Sequence, residues 1–245
     1  MRPESVEIKV TIAGDHVDEA ITTLGLTNAA TWQIVFCEDV TPGAAATPLL
    51  DLGVVLRARG KSGTKGDSTV KLRPCRWSQL DGQYLHNADD DGTELKTEAD
   101  WAGPKRLLAT SMTAKWSDQR LSRVQAGDEP AAALFTDEQR DFLARCAPGK
   151  INLAAVTALP AFAATRWDTF PAAAEGVELS VRAERWTIED GDEFLELSIV
   201  STVDRAVADQ AALQSFVTGK ALPIDDSTDT KTRRVLITLV TRTQV

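Results

Sequence analysis

Alternating polar and apolar side chains recur along the chain and predict a series of half-buried β-strands. The stretches with this alternation are SVEIKVTI (residues 5–12), ATWQIVFCEDV (30–40), ELKTEADW (94–101), LLATSMTAKW (107–116), FAATRWDTF (162–170), VELSVRAERWTI (177–188) and EFLELSIVSTV (193–203). Residues 51–74 add a hairpin with a turn rich in glycine and lysine at 60–66, and EDGD at 189–192 predicts a turn between the last two strands. The chain is therefore dominated by strands with one polar face.

Helical patterns separate these strands. Residues 14–26 predict a short amphipathic helix that begins at Asp15 and ends at Gly25, and residues 136–148 predict a helix with Thr136 and Gln139 as its capping box. Residues 152–162 predict a second short helix, residues 204–220 a closing helix that ends at Gly219, and residues 230–240 a β-like tail. This order favours one α+β domain spanning residues 1–245, with an antiparallel sheet that is either a closed barrel or strongly curved.

Composition narrows the class of protein. The formal net charge of −9 argues against binding to a nucleic acid duplex or an anionic membrane, since both need a basic surface. No run of about twenty apolar residues suggests a membrane span. The N-terminus enters a strand pattern without the apolar segment of a signal peptide, so a cytoplasmic location is expected. Three scattered cysteines and two histidines give no disulfide framework, zinc site or histidine-based catalytic triad.

The hairpin concentrates positive charge on one face. Residues two apart on a strand point the same way, so one face carries Arg57, Arg59, Lys71 and Arg73, and the other carries Leu56, Ala58, Val70 and Leu72. Four neighbouring cations repel one another, so this face either meets bulk water or meets anions. For a single hairpin, the outward and solvated arrangement is the commoner one.

Several other strands repeat the pattern and favour the opposite arrangement. Glu7 with Lys9 and Glu98 with Asp100 also stand two apart. The predicted helices need an apolar sheet surface to pack on, and the apolar faces of these strands supply one. The charged faces then line a wet lumen, where a mixture of cations and carboxylates would suit a polyanion held together with a divalent metal. Both arrangements remain open at this point.

Four short motifs carry a family resemblance. EIK at the N-terminus, LRAR at 56–59, TVK at 69–71 and GDEFLEL at 191–197 resemble, in this order, the motifs of the CYTH superfamily, the triphosphate tunnel metalloenzymes. The family's Glu-x-Glu-x-Lys strand is matched by SVEIK at Glu7 and Lys9, and FCEDV occupies the place of its aromatic-Asp element. STVKLRP, FTDEQRDFLA and TKTRRVL are also similar to an uncharacterised actinobacterial branch of the superfamily.

The resemblance implies a fold, a ligand and a cofactor. The fold is an antiparallel closed β-barrel of about eight strands that forms a tunnel, with helices packed outside. The implied phosphate-binding residues are Lys9, Arg57, Arg59, Lys71, Arg73 and Arg166, with Lys115 as a further candidate that is equally well explained as an exposed lysine. The implied ligands of Mg²⁺ or Mn²⁺ are Glu7, Glu98, Asp100 and Glu196, and Glu7 and Lys9 would be catalytic. Two family glutamates are replaced by Ser5 and Ser198, which puts a second metal in doubt.

Two further groups of charges allow two interpretations each. Arg182 and Glu184 alternate as lumen residues would, but an outward ion pair has the same spacing and is the interpretation we favour. Lys231, Arg233 and Arg234 either close the tunnel mouth or form an exposed basic tail, and the tail is the more common arrangement.

The leading functional hypothesis is a metal-dependent enzyme that hydrolyses inorganic triphosphate or an organic triphosphate. The alternatives are a non-catalytic protein that binds a polyphosphate or nucleotide through a degenerate metal site, and an adenylate cyclase-type activity. A barrel with an inert polar exterior would have none of these functions. The expected partner is a small-molecule triphosphate or polyphosphate, and a homodimer is possible.

Overall fold

The computed structural model describes residues 2–41, 46–61, 65–188, 193–225, 227 and 230–243. The strands within these ranges are β1 (Val6–Ala13), β2 (Ala29–Asp39), β3 (Val54–Lys61), β4 (Lys65–Leu72), β5 (Ala88–Asp90), β6 (Thr93–Ala102), β7 (Lys105–Trp116), β8 (Val156–Ala158), β9 (Phe162–Trp167), β10 (Phe170–Ala174), β11 (Val177–Thr187) and β12 (Glu193–Ser201). The α-helices are α1 (Val17–Thr23), α2 (Pro48–Asp51), α3 (Arg120–Ala126), α4 (Asp137–Cys146), α5 (Ala206–Gly219) and α6 (Lys231–Thr243). The predicted turn at 189–192 and the middle of the turn at 60–66 lie outside the described residues.

Nine of these strands close into a barrel. Hydrogen bonds connect them in the order β1-β12-β11-β9-β2-β3-β4-β7-β6, and β6 returns to β1. The β1–β6 pair is parallel, whereas the other pairs in the barrel are antiparallel. β5, β8 and β10 extend β6, β2 and β11 at the rims. The α+β class and the closed barrel predicted from the sequence are confirmed, with one more strand than expected and one parallel pair.

The apolar face of the predicted hairpin lies outside the barrel, under helices. Leu56, Ala58, Val70 and Leu72 are at most 1% exposed and belong to a core that includes side chains of α3 and α4. On the opposite wall, β1 and β12 bury their outward side chains against α1 and α5. Because successive side chains alternate between faces, the polar residues of the same strands must face the barrel interior. The inward arrangement of the charged faces is therefore the one that the chain adopts.

The C-terminal helix α6 is the largest difference from the sequence prediction. The run VLITLV is rich in branched residues and is typical of a strand, but residues 231–243 are helical. Val235, Leu236, Leu239 and Val240 form a buried stripe on one side of the helix, with a spacing that only a helix can align. This stripe packs on inward-facing apolar residues of the barrel, including Phe36, Val55 and Trp186. Tertiary packing thus overrides the local β preference, and α6 covers one end of the tunnel.

The remaining helix predictions had mixed outcomes. The capping box of α4 is confirmed, since Thr136 Oγ1 accepts a hydrogen bond from the Gln139 backbone N–H and Gln139 Oε1 accepts one from the Thr136 backbone N–H. The prediction of a second short helix was wrong, because residues 152–162 form a single 3-10 turn followed by β8 and the start of β9. Asp15 does not cap α1, which begins at Val17 after a 3-10 turn. In the described part of the chain, no helix has both the length and the apolar character needed to cross a bilayer.

The burial of α6 leads to a stability prediction. Leu239 is 1% exposed in the barrel-end core, whereas Ile237 on the same helix is 37% exposed. Leu239→Ala should lower the free energy of unfolding by about 2–5 kcal/mol, because it removes buried methyl groups and leaves a cavity. Ile237→Ala should cost less than about 1 kcal/mol. Urea unfolding of both variants measures this, and equal effects would show that α6 is not docked in the barrel end.

Candidate anion-binding tunnel

The barrel encloses a cavity of about 960 Å³ that is lined by charged side chains from most of its strands. Among the described residues on its wall, eleven are lysine or arginine and seven are aspartate or glutamate. The chain as a whole carries a net charge of −9, so the interior has the opposite sign from the molecule. An enclosed excess of positive charge favours anions inside the tunnel.

The structure brings together most of the residues predicted for the site. The lining residues include the predicted cations Lys9, Arg57, Arg59, Lys71, Arg73 and Arg166 and the predicted carboxylates Glu7, Glu98, Asp100 and Glu196. Lys115 stands apart from them. It shares a face of β7 with Ser111 and Thr113, which line the cavity, but it lies near the end of the strand, where its side chain is exposed.

One wall of the tunnel is a network of ion pairs between β1, β4 and β6. Lys9 Nζ lies 2.7 Å from a Glu7 carboxylate oxygen and 3.0 Å from one of Asp100. Asp100 also accepts a 2.9 Å hydrogen bond from Arg73 and lies 3.5 Å from Lys71 Nζ. The parallel β1–β6 register creates this cluster, because it places Glu7 directly beside Asp100. On this wall, cations and carboxylates neutralise each other.

This network of ion pairs sets the protonation states of Glu7, Asp100 and Lys71. Burial raises the pKa of Glu7, but the charges of Lys9 and Lys71 outweigh it and bring the pKa from 4.5 to about 2. The pKa of Asp100 is likewise well below its usual range, since Lys9, Lys71 and Arg73 outweigh its burial. Burial lowers the pKa of Lys71, and the nearby charge of Lys9 lowers it further. The carboxylates are thus ionised at neutral pH.

The opposite wall carries three arginines that are not held in salt bridges of this kind, although Glu184 stands beside Arg166 in the β9–β11 register. Arg57, Arg166 and Arg182 line the cavity from β3, β9 and β11, and none of them forms a salt bridge with a described carboxylate. Arg57 Nη2 donates to Thr69 Oγ1 at 3.3 Å, but its Nε is buried without a hydrogen-bond partner in the described structure. Arg59 differs, because its Nε donates to Asp67 at 2.6 Å. We name Arg57, Arg166 and Arg182 the arginine cluster.

Burial and nearby positive charge both act on Arg57 and Arg166. Burial lowers the pKa of Arg57, and repulsion from Arg59 lowers it further. Burial also lowers the pKa of Arg166, and the charge of Arg182 adds to this effect. A buried guanidinium without its hydrogen bonds costs free energy, so this wall would be stabilised by an anion that supplies acceptor oxygens. Phosphate suits this role, because arginine binds its oxygens in pairs.

Two interpretations from the sequence need correction. Arg182 and Glu184 line the lumen and are not an outward ion pair, since the register of β11 with β9 and β12 turns them inward. Lys231 and Arg234 at the start of α6 also line the cavity and are not part of an exposed tail. The alternation and the charge of these residues were visible in the sequence. Whether their side chains point into the lumen or into solvent depends on long-range strand pairing and on the docking of α6.

The described carboxylates do not fit the single metal site expected from the sequence. In the β1–β12 register Glu7 faces Val200 and Glu196 faces Thr11, an offset of four residues. That offset separates their backbone positions by about 13 Å along the strand. Glu7 is paired with Lys9, and Glu196 with Lys231 at 2.8 Å. No group of three or more histidine, cysteine or acidic side chains in the described ranges is arranged to hold a metal.

Comparisons with known proteins support the fold. No family model matches the chain, and no curated protein matches its sequence. A solved structure of a candidate adenylate cyclase from Bacillus halodurans superposes with a TM-score of 0.57 at 14% identity, over 95% of this chain and 97% of that one. A candidate adenylyl cyclase from Hippeastrum, whose structure is described as revealing a dominant triphosphatase activity, gives a TM-score of 0.55 at 14% identity, over 94% of this chain and 93% of that one. The chain therefore has the same fold as these two proteins.

The ionisation of Glu7 gives a pH prediction. Because the pKa of Glu7 falls from 4.5 to about 2 on folding, its ionised form stabilises the fold above pH 4.5, and this stability is lost as the pH falls toward 2. Glu7→Gln should remove on the order of 3 kcal/mol of unfolding free energy at pH 7 and flatten the loss of stability below pH 4.5.

Denaturant unfolding between pH 7 and pH 2 tests this expectation. Glu178→Gln is the control, since Glu178 is an exposed carboxylate on β11. If Glu7→Gln and wild type lose stability in parallel between pH 4.5 and pH 2, Glu7 is not ion-paired as described.

Proposed function

We propose that this chain is a member of the CYTH superfamily and that its tunnel binds the triphosphate group of a small molecule or a short inorganic polyphosphate. The arginine cluster is the observation that carries the proposal. Three inward-facing arginines have no salt bridge to a described carboxylate, and the buried Nε of Arg57 has no hydrogen-bond partner there. A chain of phosphates would supply several negative charges and many acceptor oxygens within one elongated space.

The two walls would have different roles. The arginine cluster would supply most of the binding free energy, because its guanidinium groups would not have to break a salt bridge within the protein in order to bind the ligand. Lys9, Lys71 and Arg73 lie across the tunnel and already share Asp100. To contact the phosphate chain they would have to weaken their ion pairs with Asp100, which offsets the free energy gained from the ligand. Their main role would therefore be to orient the phosphate chain.

The affinity prediction follows from the arginine cluster. Arg57→Ala should weaken binding of tripolyphosphate about 10- to 100-fold, the value of one to two charge-assisted hydrogen bonds. Arg185→Ala is the matched control. Arg185 belongs to β11, but it pairs with Glu193 and Asp18 and does not line the cavity.

Isothermal titration calorimetry with tripolyphosphate at two salt concentrations measures both variants. Wild type and Arg185→Ala should bind equally, and both affinities should fall with added salt. An Arg57→Ala variant that is folded by circular dichroism and keeps full affinity would remove the assignment.

Hydrolysis of the bound triphosphate is the second candidate. Glu7 favours it, because it lies on the tunnel wall as an ionised carboxylate beside Lys9 and could orient a water molecule by accepting a hydrogen bond from it. The triphosphatase activity described for the Hippeastrum protein with the same fold agrees with it.

Phosphate release separates binding from catalysis. Wild type and Glu7→Gln would be assayed with inorganic triphosphate, ATP and other nucleoside triphosphates, in EDTA, Mg²⁺ and Mn²⁺, with cyclic AMP measured in the ATP reactions. A hydrolase should release phosphate and lose at least about 100-fold of this rate in Glu7→Gln protein that circular dichroism shows to be folded at the assay temperature. Micromolar binding without release under any condition would leave the binding function alone.

A further inference from the structure

Lys231 occupies a place where a carboxylate pair would otherwise be open to a metal ion. Glu184 and Glu196 stand directly opposite each other on β11 and β12, and both side chains line the tunnel. Two like charges directly opposite across a sheet repel each other. Such a pair needs a proton, a metal ion or a fixed cation to stay inside the barrel.

The fixed cation comes from the first residue of α6. Lys231 Nζ lies 2.8 Å from Glu196 Oε1, and each side chain of this pair is 12% exposed. The same ammonium lies 4.0 Å from the centre of the Trp186 ring, whose Nε1 donates to Glu184 Oε1 at 2.6 Å. Trp186 thus links Glu184 to the lysine, which contacts Glu196 directly. Burial raises the pKa of Glu184, but the charge of Lys231 is the leading influence that brings it below its usual value.

The position of Lys231 in its helix is itself unfavourable. The first turn of α6 contains no acidic residue but three basic ones, and positive charge at a helix N-terminus opposes the helix dipole. Each of these cations is matched by a carboxylate outside the helix. Lys231 meets Glu196, Arg233 meets Asp51 and Arg234 meets Asp225. The helix start is therefore arranged for contacts with the rest of the molecule, and only Lys231 reaches the carboxylate pair in the tunnel.

We propose that Lys231 is a built-in counter-cation that takes the place of a divalent metal between Glu184 and Glu196. The tunnel then binds its ligand without a metal at this pair, and the ammonium remains available to a phosphate oxygen that reaches this depth. The nature of that ligand rests on the proposed function, whereas the exclusion of metal from Glu184 and Glu196 does not. Removal of the ammonium should leave two facing carboxylates, a donor set that Mn²⁺ accepts.

The test uses Mn²⁺ alone as the probe. Electron paramagnetic resonance counts the free Mn²⁺ in titrations of wild type, Lys231→Met and the double variant Lys231→Met/Glu196→Gln. Lys231→Met should gain one Mn²⁺ site that binds at least tenfold tighter than any at this pair in wild type, and the double variant should lose it. Arg233→Met is the matched control, because it removes the same charge from the same turn outside the cavity lining, and it should behave as wild type.

Two results would overturn the proposal. One is a wild-type Mn²⁺ site that Glu196→Gln abolishes, since this would show a metal at the pair despite Lys231. The other is a folded Lys231→Met variant without an additional Mn²⁺ site. Lys231→Gln gives the same comparison if the Met variant does not fold. A separate experiment titrates wild type with tripolyphosphate in EDTA. If tripolyphosphate does not bind, the proposed function is wrong, and the Mn²⁺ titrations still decide the present proposal.

Discussion

Positive charge inside a closed barrel is the constraint on which the rest of this structure depends. Two like charges about 5 Å apart repel by roughly 3 kcal/mol at the effective dielectric of a protein, compared with less than about 1 kcal/mol in water. The chain accommodates the problem differently on its two walls. Around Lys9, Lys71 and Arg73, carboxylates from β1 and β6 balance the cations. The arginine cluster forms no salt bridge with a described carboxylate, and the charge of the neighbouring Glu184 offsets only part of the repulsion and burial there.

The barrel can hold this repulsion because its stability comes from outside the tunnel. The outward faces of β3, β4 and β7 pack under α3 and α4, and those of β1 and β12 pack under α1 and α5. Residues such as Leu56 and Leu72 are fully buried there and alternate with the lumen cations. The hydrophobic cores therefore fix the strands whether or not an anion is bound. The charged lumen side chains are thus held in place without a ligand, and such preorganisation would reduce the entropy lost if an anion binds there.

Much of this site could be predicted from local sequence, and what could not depends on contacts distant in the chain. The alternation of Arg57 with Leu56 and of Lys71 with Leu72 predicts the inward cations, because side chains in a strand alternate between faces. The offset between Glu7 and Glu196 is set by the β1–β12 register, which no local pattern contains. The same is true of Arg182, whose outward and inward readings look identical within β11. For α6, local residue preference pointed to a strand, and only the barrel end that it covers explains the helix.

Helix α6 also makes the two ends of the tunnel different, because it covers only one of them. Along β11 the lumen positions run from Arg182 through Glu184 to Trp186, and Trp186 packs on α6. Glu184 stands beside Arg166 on one side and Glu196 on the other, and Lys231 at the start of α6 reaches Glu196. A helix that closes one end of the channel would limit how far any anion could extend along it.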